Sequence, residues 1–300
     1  MKHILIGIAN SHDIAATIGK ISSKNGITFY NRKSDDFILV SIVPSDPENK
    51  AIYLAEVISA SKINLVDTSN IGKVFGESVI GAWLMGNRLL ITENPDASAM
   101  LDKAGVAYEK IKKEGILEAL KSMDIKESEG QTRIQIDKSF NVKGIGTVLL
   151  GLVTAGKVQK HDLLKTPEGK EVLVRSIQVQ DDDVDFALEG ARVGLAVKGV
   201  EEHDIEKGDI LAKQPVLRAS RLTASITVSK LAGSTDLGYK EMWLVSGFRS
   251  CLCKITNFDG AKGSVELLAK LPIEAGEKFL LVRNDAPRIF AGGVVIEASA

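Results

Sequence analysis

The chain has 300 residues, room for two or three domains with sizeable cores. Its 38 basic and 39 acidic residues leave a formal charge of −1, which excludes a broad electrostatic footprint for nucleic acid but not a local basic patch. With 44% hydrophobic residues, no apolar run of transmembrane length and no signal-peptide layout in MKHILIGIAN, the expectation is a soluble cytoplasmic protein.

Residues 1–125 alternate strand and helix patterns. An apolar run at 2–9 reads as a buried strand and 13–22 as a helix with Ser11 or Asp13 near its N-cap; 37–43 is a second apolar strand. A helix at 50–61, a short strand at 63–66, a helix at 78–85, a strand at 88–92 and helices at 97–105 and 114–123 follow. This rhythm predicts an open parallel sheet covered by helices. The polar stretch DIKESEG at 124–130 reads as the first linker.

From 131 to 214 the pattern is short strands. Ile134 and Ile136 alternate with polar residues, and Gly144 and Gly146 flank Ile145 before an aliphatic run at 147–150. Gly-x-Gly between two such runs marks a tight turn or bulge, and a glycine turn at Gly156 is expected to close the next hairpin. The expected unit is a small antiparallel barrel. Gln214 and Pro215 begin a connection to a third, all-β unit at 217–300, with alternating LTASITV at 222–228, MWLV at 242–245 and last strands at 278–283 and 291–297. Cys251 and Cys253 share one face of a strand there and read as small buried hydrophobes rather than a disulfide. The four histidines, His3, His12, His161 and His203, are too dispersed for a metal site, and no catalytic set stands out.

The second unit resembles domain 2 of the translational GTPases, in the branch of elongation factor Tu, SelB and the gamma subunit of archaeal initiation factor 2. The residues that carry the resemblance are Ile136, Asp137, Phe140, Val142, Gly144, Gly146, Thr147, Val148, Gly151 and Gly156, then VRSIQV at 174–179, EGARVGLAVKG at 189–199 and IEKGDIL at 205–211. The pattern is most similar to that of SelB, as an archaeal SelB-like elongation factor paralogue. The resemblance implies an α/β P-loop-like GTPase domain at 1–125, a Tu-like domain 2 at 131–214 and a Tu-like domain 3 at 217–300. SelB proteins carry a further C-terminal extension that this sequence lacks, so the expectation is not a complete selenocysteine factor.

The first unit departs from the motifs the resemblance implies. A phosphate loop needs Gly-x4-Gly-Lys-Ser/Thr after the first strand, to cradle phosphates with backbone amides, a lysine and a Mg²⁺-binding hydroxyl. Here Gly7 is kept, followed by Asn10 and Ser11, but His12, Asp13 and Ile14 stand where the second Gly, the Lys and the hydroxyl belong. An Asp where a Lys should meet phosphate reverses the sign of the contact, and the helix N-terminus alone favours an anion by only about 0.3–1 kcal/mol. The switch I Gly-Ile-Thr matches at Thr28. Asp46 keeps the Asp of the Asp-x-x-Gly-His segment, with Lys50 replacing its water-positioning His. The guanine-reading segment becomes TENPD at 92–96, with Thr92 kept and Asp96 one place late. Asp46 and Thr92 read as holding turns and strand ends; for Thr28 both readings stand. GTP or GDP with Mg²⁺ is the cofactor the resemblance implies, and the departures argue against hydrolysis.

The resemblance also implies that domain 2 holds the aminoacyl end of tRNA and domain 3 the acceptor and T-stem backbone. On that basis Asp137, Lys138, Phe140, Gly144, Gly146, Leu150, Gln180 and Arg192 are candidates for the aminoacyl-tRNA surface, Leu150 standing in place of a frequent Thr and Gln180 of a frequent His. Phe140 reads equally as a barrel-core aromatic, and Arg192 as a turn charge or structural ion pair. Lys143, Arg249, Arg283 and Arg288 are further candidates for backbone phosphates. The leading expectation is a monomeric aminoacyl-tRNA binder, with ribosome contact open, no membrane partner, and no working GTPase cycle. The alternatives are a GTP-dependent factor whose diverged loop uses Lys20 or Lys24 as its cation, or a protein-interaction module that binds no tRNA.

Overall fold

The structure, a computed structural model, describes residues 2–34, 36–125, 130–232, 237–238 and 242–300. Positions 126–129 of the expected linker lie outside the described residues.

The first unit begins with β1 (Lys2–Ile8) and α1 (His12–Ile18), then a hairpin of β2 (Lys20–Asn25) and β3 (Ile27–Lys33), and β4 (Phe37–Pro44). Next come α2 (Ala51–Ala60), β5 (Ile63–Val66), α3 (Lys73–Met85), β6 (Arg88–Thr92), α4 (Pro95–Ala104), β7 (Glu109–Ile111) and α5 (Ile116–Ser122). The strands form one seven-stranded sheet in the order β2-β3-β4-β1-β5-β6-β7. The strands from β4 to β7 are parallel and fully buried where they cross the middle, which is why they read as continuous apolar runs.

The structure departs from the sequence reading at several elements, α3 for one beginning at Lys73 rather than at 78. The helix expected at 13–22 ends at Ile18, because Gly19 is extended (φ −161°) and ISSKN continues as an edge strand. The switch I match therefore sits in a hairpin whose turn, Gly26, has φ +70°. β7 is three residues long, too short to leave a periodic signal.

The second unit contains β8 (Arg133–Val142), β9 (Gly146–Ala155), β10 (Lys157–Gln159), β11 (Leu163–Lys165), β12 (Glu171–Val179), β13 (Asp182–Val184), β14 (Phe186–Leu188), β15 (Arg192–Lys198) and β16 (Ile210–Ala212). The sheet order β11-β16-β8-β9-β15-β12, with β11 also pairing β12, closes an antiparallel barrel. Gly156 does not close a β9–β10 hairpin: β10 pairs with β14 in a separate ribbon. The third unit is a closed antiparallel barrel, β17-β20-β19-β18-β21-β22, from β17 (Arg218–Val228), β18 (Met242–Ser246), β19 (Arg249–Thr256), β20 (Lys262–Pro272), β21 (Lys278–Val282) and β22 (Ile289–Ser299). Cys251 and Cys253 are both buried free thiols on β19, and burial pushes Cys253 up to about 12.

The units share cores. Leu54 and Ile58 of α2 and Val79 of α3 belong to one apolar cluster with Val245, Leu280 and Ile289 of the third barrel. A second cluster joins Phe29 and Val57 to Leu152 and Phe248, one residue from each barrel. Arg288 seals the first contact. Its Nε and Nη2 meet both oxygens of Glu77 on α3 at 2.6–3.1 Å, and Nη1 and Nη2 donate to Glu48 O and Pro47 O. Both side chains are buried, and a buried pair of this kind holds geometry because either partner alone would be a stranded charge.

Candidate functional site

In an open α/β sheet a ligand binds beyond the carboxyl ends of the parallel strands. Here side chains along that edge bond to one another and to the strand ends. The connection from β1 to α1 is three residues. Within it Ala9 N donates to Leu65 O, Asn10 Nδ2 donates to Asp67 O at 2.7 Å, and Asp67 N returns a bond to Asn10 Oδ1 at 2.8 Å. Ser11 caps α1 by accepting from Ile14 N, so that amide too is occupied. His12 Nδ1 lies 3.0 Å from Tyr30 Oη, Asp13 is exposed, and Ile14 is in the core. Gly7 has an ordinary φ. A Cβ there would lie 2.5 Å from Ser61 Oγ and 2.9 Å from Val57 O, so the glycine serves close packing against the end of α2.

The neighbouring strand ends complete the network. Thr68 N and Oγ1 donate to Thr92 Oγ1 and O, and Asn94 Nδ2 donates to Thr68 O. Asn94 Oδ1 caps α4 through Asp96 N and Ala97 N, leaving Asp96 exposed in its first turn. Lys113 reaches Asp67 at 2.9 Å. Burial pushes Asp67 up, but its bonds from Lys113 and Ser69 outweigh this and hold it below the usual carboxylate range. Thr28 is fixed in the β3–β4 ladder opposite Val43, its hydroxyl buried without a hydrogen-bond partner, and Asp46 holds the turn into α2 through Asn49. Lys20 and Lys24 lie on β2, three strands from β1 and so roughly 14 Å across the sheet.

On the second barrel, a bulge between Ile136 and Lys138 turns Asp137 toward Arg192, which bonds it at 2.9 Å. The Arg192 guanidinium also donates to Ser22 Oγ and lies 3.8 Å from the centroid of Phe29, so this pair braces the barrel against the first unit. Burial pulls Arg192 down, opposed by Asp137. Gln180, in a turn with φ +50°, likewise donates across to Arg32 O. Lys138, Phe140 and Leu150 remain outside the core on adjoining strands, Leu150 beside the bare Gly194 and Lys138 5.8 Å from the Phe140 ring centroid. Gly144 (φ +83°) and Gly146 (φ +97°) form the exposed hairpin tip next to exposed Lys143. Arg249, Arg283 and Arg288 are mostly buried and held by the protein, Arg249 on Ser246 and Glu277, Arg283 on Asp285 O and Pro287 O, Arg288 on Glu77, and each borders the cleft described next rather than an open barrel face.

Where the three units meet, a cleft of about 760 Å³ opens. Lys50 Nζ and Lys207 Nζ lie 5.5 Å and 6.0 Å from the ring centroid of Tyr53 of α2; Trp243 and Lys270 line the same space from the third barrel. Basic side chains outnumber acidic ones in the lining, and Glu56, Asp209 and Glu206 are each within 4 Å of Lys207 or Arg218. Lys50 and Lys270 carry no ion pair among the described residues.

Residues 146–212, from β9 to β16, match the family model "Elongation factor Tu domain 2". An uncharacterized protein of Methanocaldococcus jannaschii is 25% identical over 95% of this chain and 97% of its own length. The selenocysteine-specific elongation factor of the same organism is 33% identical over 78% of this chain and 56% of its own, so the chain spans little more than half of that relative. The second unit belongs to the elongation factor Tu domain 2 family, and the chain at large is similar to SelB-type translation factors. Solved folds agree. Apo SelB of Methanococcus maripaludis superimposes with TM-score 0.79 at 20% identity, over all of this chain and 81% of that one; a bacterial selenocysteine-specific elongation factor gives 0.80 at 21% over 98% and 58%.

Within this SelB-like frame, the sequence reading located the strand ends of the first unit but not the residues between them. Asp67, Thr68, Asn94 and Lys113 carry no motif. Tyr53, Lys207, Trp243 and Lys270 were also missed, because they come from three units far apart in sequence. A lysine inside the matched IEKGDIL run was the only available signal.

Proposed function

We propose that this chain is a SelB/Tu-like elongation factor paralogue that binds aminoacyl-tRNA, with guanine-nucleotide binding weakened or lost and no efficient GTP hydrolysis. The observation that carries the reading is the contrast between two sites. At the edge where a nucleotide would lie the side chains bond to one another, while the three-unit cleft is open, cationic and aromatic. Phosphate oxygens of an acceptor end would meet Lys50 and Lys270, with Tyr53 and Trp243 offering stacking faces. The Phe140–Leu150 surface would receive the terminal adenosine and amino acid. Asp137 and Arg192, paired with each other, would position the barrel rather than touch the ligand.

The chain would act as a monomer, holding one arrangement of its three units with or without nucleotide. Filter binding of aminoacylated and deacylated tRNA tests the reading. Lys50→Glu with Lys270→Glu is expected to weaken binding about tenfold or more and to lower the salt slope by roughly 2. Failure of the unaltered chain to retain either tRNA at low salt would leave the alternative of a protein-interaction module. Co-sedimentation with ribosomes extends the same test to the ribosome.

A further inference from the structure

A surface away from both sites has no role in that reading. Two adjoining cavities, of about 270 and 410 Å³, share Val79, Ile80, Ala104 and Leu231 in their walls and so make one groove between α3, α4 and the loops of the third barrel. Large apolar side chains stand open along it: Trp83 is 46% exposed, Met100 53% and Leu231 58%. Three such residues side by side form the kind of patch that marks a docking surface, whereas a lone exposed leucine would not.

Two features define the occupant. First, no described strand lines the groove. Its walls are α3, α4, the 105–106 turn, the 229–231 segment and the 286–287 loop, so a partner cannot add by strand pairing and must present side chains. Second, the accessible charges in the lining are Lys73 and Lys230. Among the described residues Lys73 shares its ammonium with exposed Glu48 alone. The one carboxylate in the walls, Glu77, is buried and held by Arg288, so it presents no negative charge to an incoming segment. We infer that this groove docks an amphipathic helix of a partner protein, its apolar face on Trp83, Met100 and Leu231 and its acidic flanks toward Lys73 and Lys230. This inference stands apart from the tRNA reading, since no residue of the groove belongs to the cleft or the barrel face.

The probe is a fluorescein-labelled synthetic helix of about four turns, with Leu at i, i+3, i+4 and i+7 and Glu on the other face. Fluorescence anisotropy against the full chain is expected to show binding at about ten micromolar or tighter. A version with Lys for Glu, and the variants Met100→Glu and Lys230→Glu, are each expected to bind about tenfold more weakly. Ile296→Glu, a similarly exposed apolar residue on the third barrel, is the control and should bind as the unaltered chain does. Equal binding of a scrambled peptide, equal loss in the Ile296 variant, or no binding at millimolar peptide would overturn the inference. So would a concentration-dependent dimer in sedimentation that Met100→Glu dissolves, which would make a second copy the occupant.

Discussion

At the scale of single residues, Gly7 and Asp13 show how a motif position can persist or vanish for reasons of packing. Gly7 matches the first glycine of a phosphate loop, yet what demands a glycine is the contact of β1 with Ser61, Asn64 and Val57 O. Gly7→Ala is therefore expected to lower unfolding free energy by about 1–3 kcal/mol, with no nucleotide present, in a urea titration. A neutral result would return Gly7 to a ligand role. Asp13 is the converse: replacing it with lysine restores the motif's charge but leaves the bonds between Asn10 and Asp67 in place. Asp13→Lys with Ile14→Thr should leave GTP binding undetectable, whereas binding that appears in the double variant would show that charge alone was lacking. The sequence made the loss of the lysine plain. It could not reveal the pairing of Asn10, since the partner of that amide lies 57 positions away.

Among the elements, α2 and α3 carry the coupling between the first unit and the barrels. α2 offers Leu54, Ile58 and Val57 to two clusters, and α3 offers Glu77 to Arg288. Arg288→Ala strands a buried carboxylate and should cost about 3–5 kcal/mol in chemical denaturation, while Glu77→Gln with Arg288→Met should cost clearly less. Equal losses would mean the pair adds nothing beyond its bulk. Glu56, on the same α2, lies buried against Lys207. Burial pushes it above the ordinary carboxylate range, Lys207 pulls against this, and Asp137 adds to the rise. A carboxyl with a raised folded pKa holds its proton more tightly when folded. Its contribution is whole below the unfolded value and is lost as pH rises through the folded one. Glu56→Gln should therefore flatten the decline of stability on the alkaline side of about pH 4.3, read by thermal melts across pH. An unchanged slope would place the titration elsewhere. Helix and strand order was legible here because buried parallel strands and amphipathic helices differ in period. The β2–β3 hairpin was not, because Gly19 and a polar edge strand resemble the tail of a helix.

Over the whole molecule, the three units are packed together through shared apolar clusters. A nucleotide switch needs a ligand that binds two arrangements with different affinity. The first unit holds Asn10, Asp67, Thr68, Thr92, Asn94 and Lys113 in mutual bonds at the place such a ligand would enter. The resemblance in the second barrel could be read along the chain, residue by residue. The cleft and the apolar groove could not, because each exists only once separate units are assembled. The central claim, that the first unit no longer answers to guanine nucleotide, is tested most directly by calorimetric titration of the full chain with GTP and with GDP in Mg²⁺. The account predicts no heat of binding for either at large ligand excess and no shift in melting temperature. Saturable binding that favours GTP over GDP would contradict it.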